Sequence, residues 1–589
     1  MVLSCVPPVA ASLIATTENI LHIAPVSRAW KAEAPANIVF LSPSLTQQAL
    51  LIQIALLRPT TIIAGDQAID AQVIGQWRTS HPFGELCLVR RGTSLDKVRL
   101  DLCESNGIQV INTPGVNAPH VAAYIAHWLT LADGSLPQDI CVLGYGNVGK
   151  ELVKLLLDRD PAVRIRVLGR QGRTTDFPDR RVSFETDWFE VLEGARAVAL
   201  CVSLNDESVH RIDRALIERL HARARLVCVA KPDVFSDDAL RTLAAAEEIQ
   251  LVSDYGPATL EAFRMRLQAL GCDAPSWRKP PTLTTRAATT EACHGDLDYA
   301  VCVQLSLMAL RGLVRRKLAQ SLTIPTHPAD VDAPRVSVIG RGINGLLQAV
   351  MLRLANYRVA VYGGNRQSDG ASHKQVNMRH LSATETTAKP LHNDYLFPAN
   401  QHLSVECNRA GIELFEKLLA DNPSLARFAQ ARIVRAYRED AGDVEAAIRE
   451  QREIENRPWP SGRAGGEFAE ISRMQLQARY AIPGIGRAIE VSGYDLELIH
   501  FMHELEALLQ RGGVQFMPGH LSPAEIAELS REHVTIECAR PGTSDGLSIV
   551  YWSAYHQVTA GGTYAGGTTQ GLVWASLVQE LIQTRAHAL

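Results

Sequence analysis

What this 589-residue chain lacks narrows its chemistry first. It has eleven cysteines but no C-x-x-C pair. The thiols sit in apolar stretches such as "DICVLG" and "LVCVAK", where cysteine behaves as a small buried hydrophobe. This argues against a metal cluster or a disulfide framework and for a reducing compartment. The charges nearly balance, at a net −4, so no strong field draws the chain to nucleic acid or an anionic membrane. No uninterrupted apolar run approaches the roughly 18 residues of a membrane helix. The opening "MVLSCVPPVAASLIATTENI" has an early Pro-Pro and no basic start, unlike a signal peptide. Low-complexity tracts are missing too. The expectation is a cytoplasmic protein acting on a small molecule, with no bound metal and no nucleic-acid or membrane partner.

What is present is an alternation of short apolar runs with helical patterns, the rhythm of α/β units with parallel sheets. "ANIVFLS", "TTIIAG", "ELCLVRRG" and "IQVINTPG" mark one such unit in residues 1–134. "DICVLG", "RIRVLG", "AVALCVS", "RLVCVA" and "IQLVSD" mark a second in 135–290. Residues 291–318 read as one long amphipathic helix returning to the first unit. Residues 319–334 hold three prolines and little periodicity, as a linker would. A third α/β unit fills 335–589.

Two stretches carry G-x-G-x-x-G between a strand and a helix. The first, "VLGYGNVGKELVKLL", holds Gly144, Gly146 and Gly149, with Asn147 and Val148 opening the helix. The second, "VIGRGINGLLQAV", holds Gly340, Gly342 and Gly345, with Ile343 and Asn344 opening the helix. In such a turn the first glycine permits a tight bend, the second lets backbone approach a pyrophosphate, and the third lets helix and strand pack closely. The helix N-terminus adds free N–H groups and partial positive charge. A carboxylate that grips the ribose 2′-hydroxyl of NAD is expected at the end of the next strand. Gly169 stands there in the first unit, followed by Arg170 and Arg173, which favours NADP over NAD. Gly363 stands there in the third unit.

"LVRRGTSLDKVRLDLCESNGIQVINTPGVNAPHVAAYIAHWL" and "CVSLNDESVHRIDRALIERLHARARLVCVAKPDVFSDDAL" resemble the D-2-hydroxyacid dehydrogenases over about residues 36–318. The resemblance implies a flavodoxin-like substrate domain beside an NAD(P)-binding Rossmann domain, a homodimer, and hydride transfer between nicotinamide and a 2-oxo or 2-hydroxy acid. It places the amides of Gly92, Thr93 and Ser94 on a substrate carboxylate. The family's catalytic arginine falls on Lys231, the acid that orients its histidine falls nearest Glu261, and the histidine itself falls on Arg286. A guanidinium cannot cycle a proton at neutral pH. His294 lies eight residues on. An imine that arrives already protonated needs less acid catalysis than a keto group.

In the third unit, "GASHKQVNMRHLSA" (Gly370 to Ala383, including Ala371 and Ser372) and the C-terminal "TAGGTYAGGTTQGLVWASLVQELI" resemble FAD-dependent oxidoreductases of the D-amino-acid oxidase type. That resemblance implies a second Rossmann-like domain binding FAD, with an α+β substrate part. Arg379, His380, Tyr494 and His556 are candidate substrate-facing groups. His500 and His503 share a helix face without an acid or cysteine partner. The expected function is a bifunctional oxidoreductase using NAD(P)H and FAD on a small amino, imino, 2-oxo or 2-hydroxy acid. The alternatives are a chain with one active half and a non-enzymatic cofactor sensor.

Overall fold

The computed structural model describes residues 12–169, 179–272, 281–363, 380–382, 393–438, 443–465, 468–472, 474–475, 485–538, 549–552, 557–561 and 567–586. The first unit is a parallel sheet of β1 (Ile20–His22), β2 (Ile38–Phe40), β3 (Thr61–Ala64), β4 (Leu86–Arg90) and β5 (Ile108–Asn112). Its order is 2-1-3-4-5, that of flavodoxin-like sheets. Every residue of β3 and β4 is buried, because helices cover both faces of a parallel sheet. Hence these strands read as short apolar runs, with Thr61 and Arg90 at their ends.

The second unit holds β6 (Asp139–Leu143), β7 (Arg164–Leu168), β8 (Val182–Glu185), β9 (Ala197–Leu200), β10 (Arg225–Cys228), β11 (Gln250–Asp254) and β12 (Thr282–Thr284). They run in the order 12-11-10-9-6-7-8, all parallel, so chain direction across the sheet reverses between β6 and β9. Ligands bind outside the carboxyl ends of strands at such a switch point.

Helix Glu291–Leu318 joins all of this to the third unit. Thr290 caps it by accepting from the Cys293 amide, and Arg315, Arg316 and Lys317 complement the dipole at its other end. It was expected to be amphipathic, but it is apolar on two sides. Val301, Cys302 and Leu305 pack on the first sheet with Trp30 and Val89. Leu297, Val303, Leu310 and Val314 enter the core of the third unit with Leu403 and Phe415. A helix covered on both sides has no face to give to water. The connection 319–334 has no helix or strand but is fastened down. Leu322 and Ile324 are buried, and Asn422 receives the Ile324 amide at 2.9 Å and donates to the Leu322 carbonyl at 2.9 Å.

The third unit contains β13 (Arg335–Ile339), β14 (Arg358–Tyr362), β15 (His380–Ser382), β16 (Ala429–Arg438), β17 (Ala469–Ile471), β18 (Ile485–Leu496), β19 (Gln515–Met517), β20 (Val534–Glu537), β21 (Ile549–Trp552) and β22 (Gln557–Gly561). One sheet runs 19-14-13-20-22-21, parallel except for β21. A separate antiparallel sheet joins β15, β16 and β17 to β18. This is α/β with an added antiparallel layer.

Candidate functional site

Each glycine of the first turn meets a different constraint. Gly144 has φ +102°, and a Cβ there would press on the Val202 backbone at 3.0 Å. A Cβ on Gly149 would overlap the carbonyl oxygen of Gly144. Gly146 caps helix Asn147–Arg159, and a Cβ there would meet nothing within 4 Å. The backbone is therefore packed on both sides of the bend and open at its tip, where a pyrophosphate needs to approach. Asn147 and Val148 form the first turn of that helix. Gly169 follows β7, donates its amide to the Glu185 carbonyl at 2.8 Å and presents no carboxylate. Arg170 and Arg173 lie outside the described residues. The residues present fit a nicotinamide dinucleotide.

The second turn repeats the design. Gly340 has φ +120° and would press a Cβ on Cys538, and a Cβ on Gly345 would overlap the Gly340 carbonyl oxygen. Gly342 caps helix Ile343–Leu354, with Asn344 in its first turn. Gly363 follows β14 directly, and a Cβ there would collide with Arg341 at 2.7 Å. Arg341 holds Glu506 by two hydrogen bonds of 3.1 Å. These residues fit a pyrophosphate, and Glu506 comes from helix Leu498–Arg511. Ala371, Ser372, Arg379 and His556 lie outside the described residues, as does the His380 side chain. Tyr494 lies in β18 against Phe415, and burial pushes its hydroxyl up to about 12.

Between the first two units, the structure brings Lys231 to the Gly92–Ser94 loop. Its ammonium donates to Asp96 at 2.5 Å, two residues beyond Ser94. The Lys231 hydrogen bond holds the Asp96 carboxyl below its usual range. Gly92 was expected to offer its amide to a substrate, but that N–H already donates to Thr113 Oγ1 at 2.8 Å. Among the described residues the Thr93 and Ser94 amides have no partner. The Thr93 hydroxyl accepts from the Gly115 amide at 3.0 Å, which ties the loop to the turn beside Asn147. Arg286 is exposed and binds Asp254 through its amide at 2.5 Å, leaving its guanidinium unpaired among the described residues. Glu261 is not brought to either cation: it sits on an exposed helix face 3.7 Å from Arg264. His294 is held by Arg91, whose Nη2 is 3.0 Å from its Nδ1. Burial, then the Arg91 charge, depresses its pKa.

Two features of this region had no signal in the sequence. Asp254 accepts from Thr284 Oγ1, which in turn lies 2.5 Å from the Tyr124 hydroxyl. The other is a strap from the third unit. Asn393 donates to the Val116 carbonyl at 2.9 Å and to Asp296 at 3.0 Å, within the first unit. Asp394 pairs with Lys154 at 2.6 Å, and the Tyr395 hydroxyl donates to the Asn147 carbonyl at 3.0 Å, both in the second. The Tyr395 ring lies on Gly115, where no Cβ would fit. Three consecutive residues thus pin the Gly115–Val116 turn of the first unit, the first cradle and the third unit to one another.

Residues 134–255 match the model of the D-isomer specific 2-hydroxyacid dehydrogenase NAD-binding domain. They form an NAD-binding domain of that type. A hydroxypyruvate reductase from Thermotoga maritima is 25% identical over 176 residues. That alignment covers 26% of this chain and 56% of the reductase, so the chain spans little more than half of that relative. Among solved structures, the NAD+-bound 3-phosphoglycerate dehydrogenase of Entamoeba histolytica is 17% identical with a TM-score of 0.40, covering 50% of this chain and 97% of that one. A Treponema pallidum D-lactate dehydrogenase is 14% identical with a TM-score of 0.40, covering 50% and 97%. The matched segment contains the first glycine turn and Lys231 and stops short of Glu261 and Arg286.

Proposed function

We propose that the chain is a nicotinamide-dependent oxidoreductase for a small 2-oxo, 2-hydroxy, amino or imino acid, and that its third unit carries FAD. The observation that carries the first half is the glycine turn of the NAD-binding domain, open only at Gly146. The bound nicotinamide supplies or accepts the hydride. The chain's own residues bind and orient the substrate. Lys231, released from Asp96, holds the substrate carboxylate, with the amides of Thr93 and Ser94, unpartnered among the described residues, beside it. Arg286, its guanidinium unpaired among the described residues, offers a second cation. The position of the family's histidine is held by Arg286, and His294 is engaged by Arg91. The arrangement suits a substrate that is already protonated, an iminium acid, over a neutral ketone. Gly169, with Arg170 and Arg173 next in the chain, supports NADP over NAD. The active form is a homodimer in this reading.

The test is consumption of NADH and NADPH with a panel of 2-oxo acids, each with and without a primary amine. Faster turnover with the amine is expected; turnover indifferent to it removes the imine reading. FAD occupancy is checked by the absorption spectrum of the purified protein, and a chain that stays colourless after FAD addition removes the flavin half. A second reading, nicotinamide binding without turnover, is favoured by one observation: Asp96 already neutralises Lys231. Absence of nucleotide consumption with every substrate in the panel, despite tight binding, is its signature.

A further inference from the structure

The two cradles share a departure that goes beyond their glycines. At both strand ends glycine replaces the carboxylate, at Gly169 and Gly363, and the residue between the first two glycines is large. In the first cradle Tyr145 packs edge-on against Phe184 of β8 at 5.0 Å, and Phe184 also lies 3.5 Å from where a Gly169 Cβ would stand. In the second, Arg341 Cβ lies 2.7 Å from where a Gly363 Cβ would stand, and its guanidinium lies 5.0 Å over the Phe516 ring of β19. In the second cradle, glycine at the strand end is what makes room for that side chain. The consequence differs between the two, because Arg341 carries a charge and brings one with it. Glu506 is fixed by both guanidinium hydrogen bonds, its side chain only 10% exposed. A carboxylate therefore stands beside the strand end of the second cradle, contributed by another helix.

We infer that the Arg341–Glu506 pair is the adenosine-ribose contact of the second cradle and selects a dinucleotide whose ribose carries no phosphate. This rests on reading the second cradle as a nucleotide site. A carboxylate gripped by a guanidinium fork keeps lone pairs to accept from vicinal hydroxyls. It also repels a 2′-phosphate, and the guanidinium, already committed to Glu506, is not free to neutralise one. The expected ligand class is an unphosphorylated adenine dinucleotide such as FAD. The Arg341 side chain serves chiefly to hold Glu506 in place.

The experiment is FAD titration of the full chain with the first cradle saturated by NADH. Glu506→Gln, which keeps shape but loses charge, is expected to weaken FAD binding by about tenfold or more, the loss of a charge-assisted hydrogen bond. FMN, which lacks the adenosine ribose, should bind both proteins equally. In the unaltered chain 5′-ADP should displace FAD at least tenfold better than 2′,5′-ADP, and Glu506→Gln should narrow that gap. Arg341→Lys, which keeps the charge but not the fork, guards against a fold defect and should fall between the two. FAD binding unchanged in Glu506→Gln, or better displacement by 2′,5′-ADP, overturns the inference while leaving the nucleotide site standing. An unaltered chain that takes up no FAD overturns both.

Discussion

Gly149→Ala tests the first cradle at its tightest point. A methyl group there would occupy the Gly144 carbonyl oxygen, backbone against backbone, so no side-chain rotation relieves it. Helix Asn147–Arg159 must move off β6, and overpacking of this kind costs about 1–3 kcal/mol. The shift also carries the helix N-terminal amides away from the phosphates, and each charge-assisted hydrogen bond lost costs about 1.5–3 kcal/mol. The lost bond predicts an NADH dissociation constant raised by about 10-fold to 100-fold, at roughly 1.4 kcal/mol per decade, while the overpacking cost lowers stability. Titration by nucleotide fluorescence, with circular dichroism to confirm folding, measures it. Gly345→Ala applies the same collision to the second cradle, against Gly340, and should spare NADH while weakening FAD. NADH affinity within about threefold of the unaltered protein in a folded Gly149→Ala would refute the packing argument.

Other consequences follow from named contacts. Asp96→Asn frees the Lys231 ammonium, so the KM for the acid substrate should fall several-fold, whereas Lys231→Ala should raise it; steady-state kinetics on both decide. Tyr395→Phe removes one hydrogen bond to the Asn147 carbonyl, worth about 1 kcal/mol, and should alter NADH affinity by less than about tenfold. Asn393→Ala in the same strap leaves the Val116 carbonyl and Asp296 without that donor and should lower the melting temperature of the first unit. His22 is fully buried, and burial drives its pKa down to about 3. The unfolded chain then binds a proton that the folded chain refuses between pH 6.5 and about 3, so stability falls as pH drops through that window. From pH 7.5 to 5.0 this one group should cost about 2 kcal/mol in denaturant unfolding, and His22→Leu should remove that part of the slope.

The glycine turns were legible in the sequence because their constraint is local. A bend, a close backbone approach and a helix start all fall within six residues, and the spacing of Gly144, Gly146 and Gly149 records them directly. The parallel sheets were legible for a related reason, since strands covered on both faces, such as Thr61–Ala64, leave short apolar runs. The amphipathic reading of Glu291–Leu318 failed because periodicity assumes one wet face, and this helix serves two cores. The site between the units was only partly legible. Lys231 meets Asp96 across 135 residues, and Asn393 meets Val116 across 277, distances at which no pattern in one sequence records a contact. Glu506 could not be found by looking for an acid at the end of β14, because it arrives from another helix through Arg341.

The central claim is that one chain holds two separate dinucleotide cradles. Equilibrium dialysis of the purified protein with NADH and FAD together measures it most directly. The account predicts one molecule of each per chain, neither displacing the other, with Gly149→Ala removing only NADH and Gly345→Ala only FAD. A single nucleotide per chain, for which NADH and FAD compete, would contradict it.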